Sequence, residues 1–158
     1  MNDELILERL KKIFNECDKH TIRINSSSAK MKVNIPLDEH KYIQLTDDEI
    51  EHIDQFLFRF SKLQDAIGEK LFKTILLYLE EEVENKPFID ILNRLEKLEL
   101  IESANVWKEL RNDRNELAHN YDDDPEATAE VINKLYNKKD ILINIYLNIK
   151  NYYLKKIS

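Results

Sequence analysis

The residues best suited to chemistry in this chain lie together between positions 114 and 121. Arg114, Asn115, His119 and Tyr121 occupy one short stretch beside an apolar helical stripe. Arginine carries a permanent charge and a planar fork of donors that fits a phosphate group, and histidine accepts and returns a proton near neutral pH. The combination is suited to reactions at a phosphodiester.

The spacing of these residues leaves two interpretations open. At roughly 100° per residue, His119 projects about 140° away from Arg114, whereas Asn115 shares a face with His119. Arg114 falls in the apolar sector that contains Trp107, where an unpaired charge is unfavourable. Either Arg114 faces a wet cleft or a second copy of the chain, or it is an internal arginine paired with a carboxylate such as Asp65 for structure only.

The pattern Arg-Asn-x-x-x-His-x-Tyr at 114–121 resembles the signature of HEPN-domain proteins, and most closely that of the HepT-type toxins. Residues 59–68 are similar to the long-helix segment of one HepT-like subgroup, so the resemblance spans residues 46–158. It implies an all-α bundle that forms a homodimer with the two motifs facing each other. It also implies a metal-independent endoribonuclease that needs no cofactor.

The resemblance assigns a role to each motif residue. The RNA 2′-hydroxyl would attack the adjacent phosphate, His119 would move the proton, and Arg114 would neutralise the charge that builds on the phosphorane. Asn115 would support the site by positioning. The chain would be the toxin of a type VII-like toxin–antitoxin pair, and the antitoxin a minimal nucleotidyltransferase that attaches AMP to Tyr121. The expected partners are RNA, this nucleotidyltransferase and a second copy, with no DNA and no membrane.

A binding module is the second interpretation. A non-catalytic HEPN protein can serve as the substrate-binding subunit of a nucleotidyltransferase, with Arg114 and His119 holding a nucleotide or the partner. The net charge of −7 favours this reading, because it has the wrong sign for indiscriminate nucleic-acid binding. The aspartates at 122–124 add negative charge beside the motif, although before a proline they predict a turn and helix cap rather than a metal site. A helical scaffold without a site is a third interpretation.

Length and composition exclude several classes of protein. A chain of 158 residues is one domain's worth, and we expect a single domain over residues 1–158. One glycine and three prolines exclude the glycine-rich loops that bind phosphate or dinucleotides. Cys17 is the single cysteine, and its place on an apolar stripe predicts a buried, inert thiol. Neither a signal peptide nor a membrane span is predicted, so a cytoplasmic protein is expected.

Hydrophobic periodicity predicts the elements that position the motif. The helical period covers residues 3–19 and then disappears over 20–45. The second stretch is predicted to be an irregular strap along the bundle, extended in part because apolar residues alternate at Met31, Val33, Ile35 and Leu37.

The core bundle is predicted over residues 46–158. Thr46 begins a capping box, and the long helix after it extends to about residue 82. Further helix starts are predicted at Pro87, at Ser103 and at Asp124-Pro125. The result is an all-α antiparallel bundle of about five helices.

Two residues interrupt the apolar stripe of the predicted long helix. Gln64 and Gly68 stand where leucine is expected. Glycine costs roughly 1 kcal/mol relative to alanine within a helix, so we expect a close approach of another helix or a polar partner there. The tyrosines and lysines of the last helix resemble a base-stacking surface, but their helical spacing favours packing against the bundle or a partner.

Overall fold

The computed structural model describes residues 3–120 and 123–158, and its regular secondary structure there is entirely helical. The predicted all-α class is therefore confirmed. The α-helices are α1 (Asp3–Met31), α2 (Glu39–Ile43), α3 (Asp47–Asp65), α4 (Phe72–Tyr78), α5 (Phe88–Lys97), α6 (Ala104–Asn120) and α7 (Pro125–Ile157). A 3-10 turn occupies Lys32–Asn34, and a π-helical segment, Ala66–Leu71, joins α3 to α4.

Local capping chemistry sets three of the helix starts. Thr46 and Glu49 form the reciprocal capping box expected before α3. The Ser103 hydroxyl accepts from the backbone amide of Asn105 at 3.1 Å and begins α6. Asp124 accepts from the amide of Ala127 at 3.2 Å, and Pro125 is the first residue of α7. Because these bonds join neighbours in the chain, the sequence predicted all three starts correctly.

Four long helical units form the bundle. Residues 47–78, comprising α3, the π segment and α4, make one continuous unit that we call the rod. The rod lies antiparallel to α1, because Glu16 of α1 contacts Lys70 whereas the later His20 contacts the earlier Arg59. The remaining units follow the same alternation, so the bundle has up-down-up-down topology.

Helix α6 is antiparallel to both of its neighbours. Along the rod, Trp107 packs at Gly68 whereas the later Arg114 contacts the earlier Asp65. Along α7, Asp113 pairs with Lys138 and Glu116 pairs with Lys134. The short helix α5 bridges α4 and α6. The motif helix is therefore held on two sides by long helices.

The first helix is longer than its predicted range of 3–19. It continues to Met31, and the buried positions 20, 24, 27 and 31 extend the spacing of 6, 10, 13 and 17. The prediction failed because two of the added positions are polar. His20 contacts Glu16 and Arg59, and the Ser27 hydroxyl donates to the carbonyl of Arg23 at 2.7 Å, so both are buried without an unmet hydrogen bond.

The predicted irregular strap is reduced to residues 32–46, where Ile35 and Asp38 have extended backbone angles but the described residues form no strand. Val33 is 82% exposed, whereas Leu37 is buried. Asn133 of α7 holds Leu37 by two bonds of 2.8 Å, one to its amide and one to its carbonyl. The connection is therefore tied to the bundle by side-chain hydrogen bonds rather than by strand pairing.

The rod ends at Tyr78, a turn earlier than predicted. Glu80 adopts a positive φ of 60°, and the amide of Glu81 donates to the carbonyl of Leu76 at 2.9 Å. This 6→1 bond is a Schellman ending. Within the described residues, no helix has both the length and the apolar character needed to cross a membrane.

Candidate functional site

The glycine in the rod makes room for a side chain of the motif helix. A Cβ added to Gly68 would lie 2.9 Å from Cζ2 of Trp107, too close without displacing one of the two. Trp107 is buried and also packs edge-on against Phe72, with ring centroids 4.7 Å apart. The close approach expected at Gly68 is therefore that of the Trp107 indole, which packs against the π segment.

An open cavity of about 270 Å³ lies between the rod and α6, with α5 at one side. The residues that line it are Gln64, Asp65, Gly68, Glu69, Lys73, Phe88, Trp107, Arg111 and Arg114. The π-helical segment forms part of this wall, and such segments occur often at functional sites because they widen a helix locally. Of the residues predicted from the motif, Arg114 is the one in this lining.

Arg114 donates a hydrogen bond to Asp65, the carboxylate named in the structural interpretation of this arginine. The Arg114 side chain is 24% exposed and that of Asp65 is 40% exposed. The pair therefore borders the open cavity instead of being sealed in the core. Both interpretations hold in part, because the arginine is paired and it also faces a wet cleft.

Two further cations that were not predicted from the sequence border the cavity. Arg111 lies on the same face as Arg114, one turn earlier, with its guanidinium carbon 5.2 Å from the centre of the Phe88 ring. Lys73 approaches from the rod. The three-residue spacing of the arginines was a signal that could have found Arg111. The position of Lys73 depends on the packing of the rod against α6.

A second cavity of about 470 Å³ lies between α1 and the rod and shares Glu69 and Lys73 with the first. Cations outnumber carboxylates in the combined lining. The cations are Arg9, Lys12, Lys70, Lys73, Arg111 and Arg114, and the carboxylates are Glu16, Asp65 and Glu69. A chain with a net charge of −7 thus carries a locally basic surface beside Arg114.

Two polar groups at the first cavity lack hydrogen-bond partners among the described residues. Both amide atoms of Gln64 are buried and unpartnered, as is the indole nitrogen of Trp107. The polar partner that the sequence suggested for Gln64 is therefore not found within residues 3–120 and 123–158. An unmet buried amide is unfavourable by about 1–3 kcal/mol, so these groups are costly to the free chain.

The remaining motif residues lie elsewhere on α6 or outside the described residues. Asn115 and His119 are exposed, and His119 is in the last turn of α6. Since α6 is continuous from Ala104 to Asn120, His119 stays about 140° around the helix and about 7.5 Å along it from Arg114. One chain does not bring the two side chains together. Tyr121 and Asp122 lie outside the described residues.

Two other expectations concern metal and thiol chemistry. Over residues 3–120 and 123–158, no three His, Cys, Asp or Glu side chains lie close enough to hold a metal ion. Asp124 serves as the cap of α7, as predicted. Cys17 is fully buried, as predicted, and burial raises the pKa of its thiol to about 12, which disfavours the reactive thiolate.

Comparison with known proteins finds no family model, no curated protein and no solved structure that matches this chain. The functional interpretation is carried by the short motif and by the geometry of the cleft.

Proposed function

We propose that this chain is a metal-independent endoribonuclease toxin of the HEPN type. The observation that carries the proposal is the concentration of cations around the cleft beside Arg114, in a protein whose net charge is negative. Phosphate contacts supply much of the affinity of a protein for nucleic acid. The clustered cations provide the local attraction for RNA that the net charge of −7 opposes elsewhere.

The proposed reaction uses two groups on α6. The 2′-oxygen bonds to phosphorus while the bond from phosphorus to the 5′-oxygen breaks, and Arg114 stabilises the charge that develops on the phosphorane. The exposed imidazole of His119 takes the proton of the 2′-hydroxyl and returns it to the leaving 5′-oxygen. These side chains diverge within one helix, so the proposed active unit is a homodimer in which His119 of one copy meets Arg114 of the other. Asn115 shares the face of His119 and supports its position.

The proposed control acts on Tyr121, which follows the end of α6 directly. A nucleotidyltransferase antitoxin would attach AMP to its hydroxyl. The added phosphodiester charge and the adenosine would then obstruct RNA binding by repulsion and by bulk. The chain has no glycine-rich loop of its own for such a transfer, so the modification comes from another protein.

A binding module is the second candidate, and the Asp65–Arg114 pair favours it. The Asp65 carboxylate partly neutralises the Arg114 guanidinium and so lowers the attraction of this guanidinium for RNA phosphate. Asp65 would have to release Arg114 during cleavage. In the binding role, the cleft holds a nucleotide or the nucleotidyltransferase itself, and no bond is broken in the RNA.

RNA cleavage by the purified protein in EDTA separates the two candidates. We expect His119→Ala and Arg114→Ala each to slow cleavage by at least about 100-fold with unchanged helicity, the usual scale for a proton-transfer group or a charge stabiliser. His40→Ala and Arg23→Ala, at exposed positions on other helices, are the matched controls.

Two results would overturn the ribonuclease assignment. One is wild-type protein that leaves RNA intact while binding it or a nucleotide. The other is a His119→Ala variant that cleaves at the wild-type rate. Light scattering tests the dimer separately, because a monomer at micromolar concentration with full activity contradicts a site shared between copies.

A further inference from the structure

We propose that the cavity between the rod and α6 recognises an adenine base, with Gln64 as the residue that determines this specificity. The inference deepens the proposed ribonuclease and rests on it for the RNA substrate. The observation that carries it is the pair of unmet polar groups at this cavity, the Gln64 amide and the Trp107 indole N–H.

Few buried side-chain atoms of the described residues are unmet, and besides Gln64 and Trp107 they are Thr21 Oγ1 and Arg94 Nε, which do not line this cavity. Gln64 is only 2% exposed, yet neither amide atom has a partner among the described residues. Folded proteins pair nearly all of their buried polar atoms, so an unpaired amide in the lining of a cavity is open to a ligand. Leucine or methionine would fill the same stripe position without this cost.

The available groups define the chemistry of the ligand. Gln64 offers one acceptor and two donated protons, and Trp107 offers one more donor. A ligand that pairs with both amide atoms of Gln64 at once presents a donor next to an acceptor on one planar edge. Adenine does so with its exocyclic amino group, which is flanked by the ring nitrogens N1 and N7, and glutamine pairs with the N6/N7 edge in nucleic acids.

The rest of the cavity fits a nucleotide rather than a free base. The cavity holds about 270 Å³ and has the Phe88 and Trp107 rings in its lining, which suits a single planar ring system. Arg111 and Arg114 stand on the α6 side and can bind the phosphate attached to the base. Gly68 leaves room for the Trp107 ring in this lining, because a side chain at position 68 would displace it.

The same chemistry occurs in a free adenosine nucleotide and in an adenosine of single-stranded RNA, so the test has an arm for each. Trp107 is the only tryptophan of the chain, and its fluorescence reports this cavity directly. In the first arm, AMP, GMP, CMP and UMP are titrated separately, with inorganic phosphate as the control for charge alone. In the second arm, a short oligoadenylate and an oligouridylate replace the mononucleotides.

We expect AMP or oligoadenylate to change Trp107 emission at a concentration at least about 10-fold lower than the other bases require. Gln64→Met removes the amide at similar length and should weaken this response about 10-fold, roughly 1.4 kcal/mol. Gln44→Met, at an exposed position on the other side of the bundle, should leave it unchanged. A response to oligoadenylate but not to AMP assigns the cavity to RNA, and the reverse assigns it to a free nucleotide.

The outcomes distinguish this inference from the proposed activity. Equal responses to all four bases, no response, or a Gln64→Met variant that binds AMP like the wild type would overturn the base pocket even if RNA is cleaved in EDTA. Conversely, AMP binding that depends on Gln64 in a protein that never cleaves RNA would uphold the pocket and refute the ribonuclease.

Discussion

Two clusters of polar groups in the bundle differ in how completely their hydrogen bonds are paired. On the side where α1 meets α7, the Tyr146 hydroxyl lies 2.6 Å from Asp18 and 3.0 Å from the carbonyl of Phe14, and Lys150 completes the cluster at 2.9 Å from Asp18. Burial and the Asp18 hydrogen bond raise the pKa of Tyr146, so the hydroxyl keeps its proton and donates it. Every group in this cluster has a partner.

On the side where the rod meets α6, the buried polar groups are left incomplete. Gln64 and the Trp107 indole are unpartnered among the described residues, whereas the Arg114–Asp65 pair is about as exposed as the Lys150–Asp18 pair of the other side. A fully paired network rigidifies a core, whereas unmet groups at a cavity are costly unless a ligand completes them. If the cavity is the base pocket proposed above, the first cluster serves the fold and the unmet groups of the second serve binding.

The strongest test of the comparison removes one hydroxyl from the complete cluster. Tyr146→Phe should lower the free energy of unfolding by about 2 kcal/mol, because it removes the buried hydroxyl that donates to Asp18 and leaves Lys150 as the remaining side-chain donor to this carboxylate. Chemical denaturation measures the change. Tyr152→Phe, at an exposed position on the same helix, is the control and should stay within about 0.5 kcal/mol of the wild type. Equal effects of the two substitutions would show that the Tyr146 cluster does not hold the fold.

The converse substitution in the cleft should stabilise the protein. Gln64→Met replaces an unpaired buried amide with an apolar chain of similar length, so we expect the free energy of unfolding to rise by about 1 kcal/mol. The same denaturation experiment without nucleotide provides the measurement, with Gln44→Met as the exposed control. A loss of stability would mean that the Gln64 amide is paired in solution, so that this side would not differ from the Tyr146 cluster in its hydrogen bonding.

The smallest effect concerns His20, a paired and pH-sensitive group that lies between α1 and the rod. Arg59 contacts its Nδ1 at 3.0 Å and Glu16 contacts its Nε2 at 3.3 Å. Because the guanidinium can only donate, Nδ1 must accept and the imidazole is neutral, with its proton on Nε2. Burial, together with the charges of Arg59 and Lys62, outweighs the Glu16 contact and lowers the pKa of His20.

The sign of the pH effect follows from the lowered pKa. As pH falls below about 6.5, the unfolded chain binds a proton at His20 before the folded chain does, so stability is lost in that range. His20→Gln should therefore show a weaker loss of stability between pH 8 and 5 than the wild type. Parallel denaturation midpoints for the two proteins across this range would contradict the neutral, buried imidazole.

Features governed by near neighbours in the chain were predictable. The starts of α3, α6 and α7 depend on side chains that cap a backbone amide two or three residues away, so Thr46, Ser103 and Asp124 were sufficient to identify them. Two long-range contacts were also indicated, because each residue is unusual for its position on an apolar stripe. Gly68 indicated that another group approaches there, and Trp107 does so. Arg114 indicated either a wet cleft or a carboxylate partner such as Asp65, and it has both.

Features governed by distant partners needed the tertiary structure. His20 and Ser27 appeared to end the first helix, because the sequence does not reveal that Arg59 and a backbone carbonyl pair with them in the core. The end of the rod, the π segment and the grouping of Lys73 with Arg111 around one cavity likewise depend on how helices pack.

The helical class and three of the helix starts could be predicted because they depend on periodicity or on local hydrogen bonds, and the candidate site residues at 114–121 could be identified from their types and spacing. Which of these residues share a cavity depends on the tertiary structure. It placed Arg114 in the cleft with Arg111 and left His119 on the exposed surface, because a continuous α6 holds the two about 140° apart. The tertiary structure also leaves the Gln64 amide without a partner among residues 3–120 and 123–158, since hydrogen-bond satisfaction depends on side chains far away in the chain and close in space.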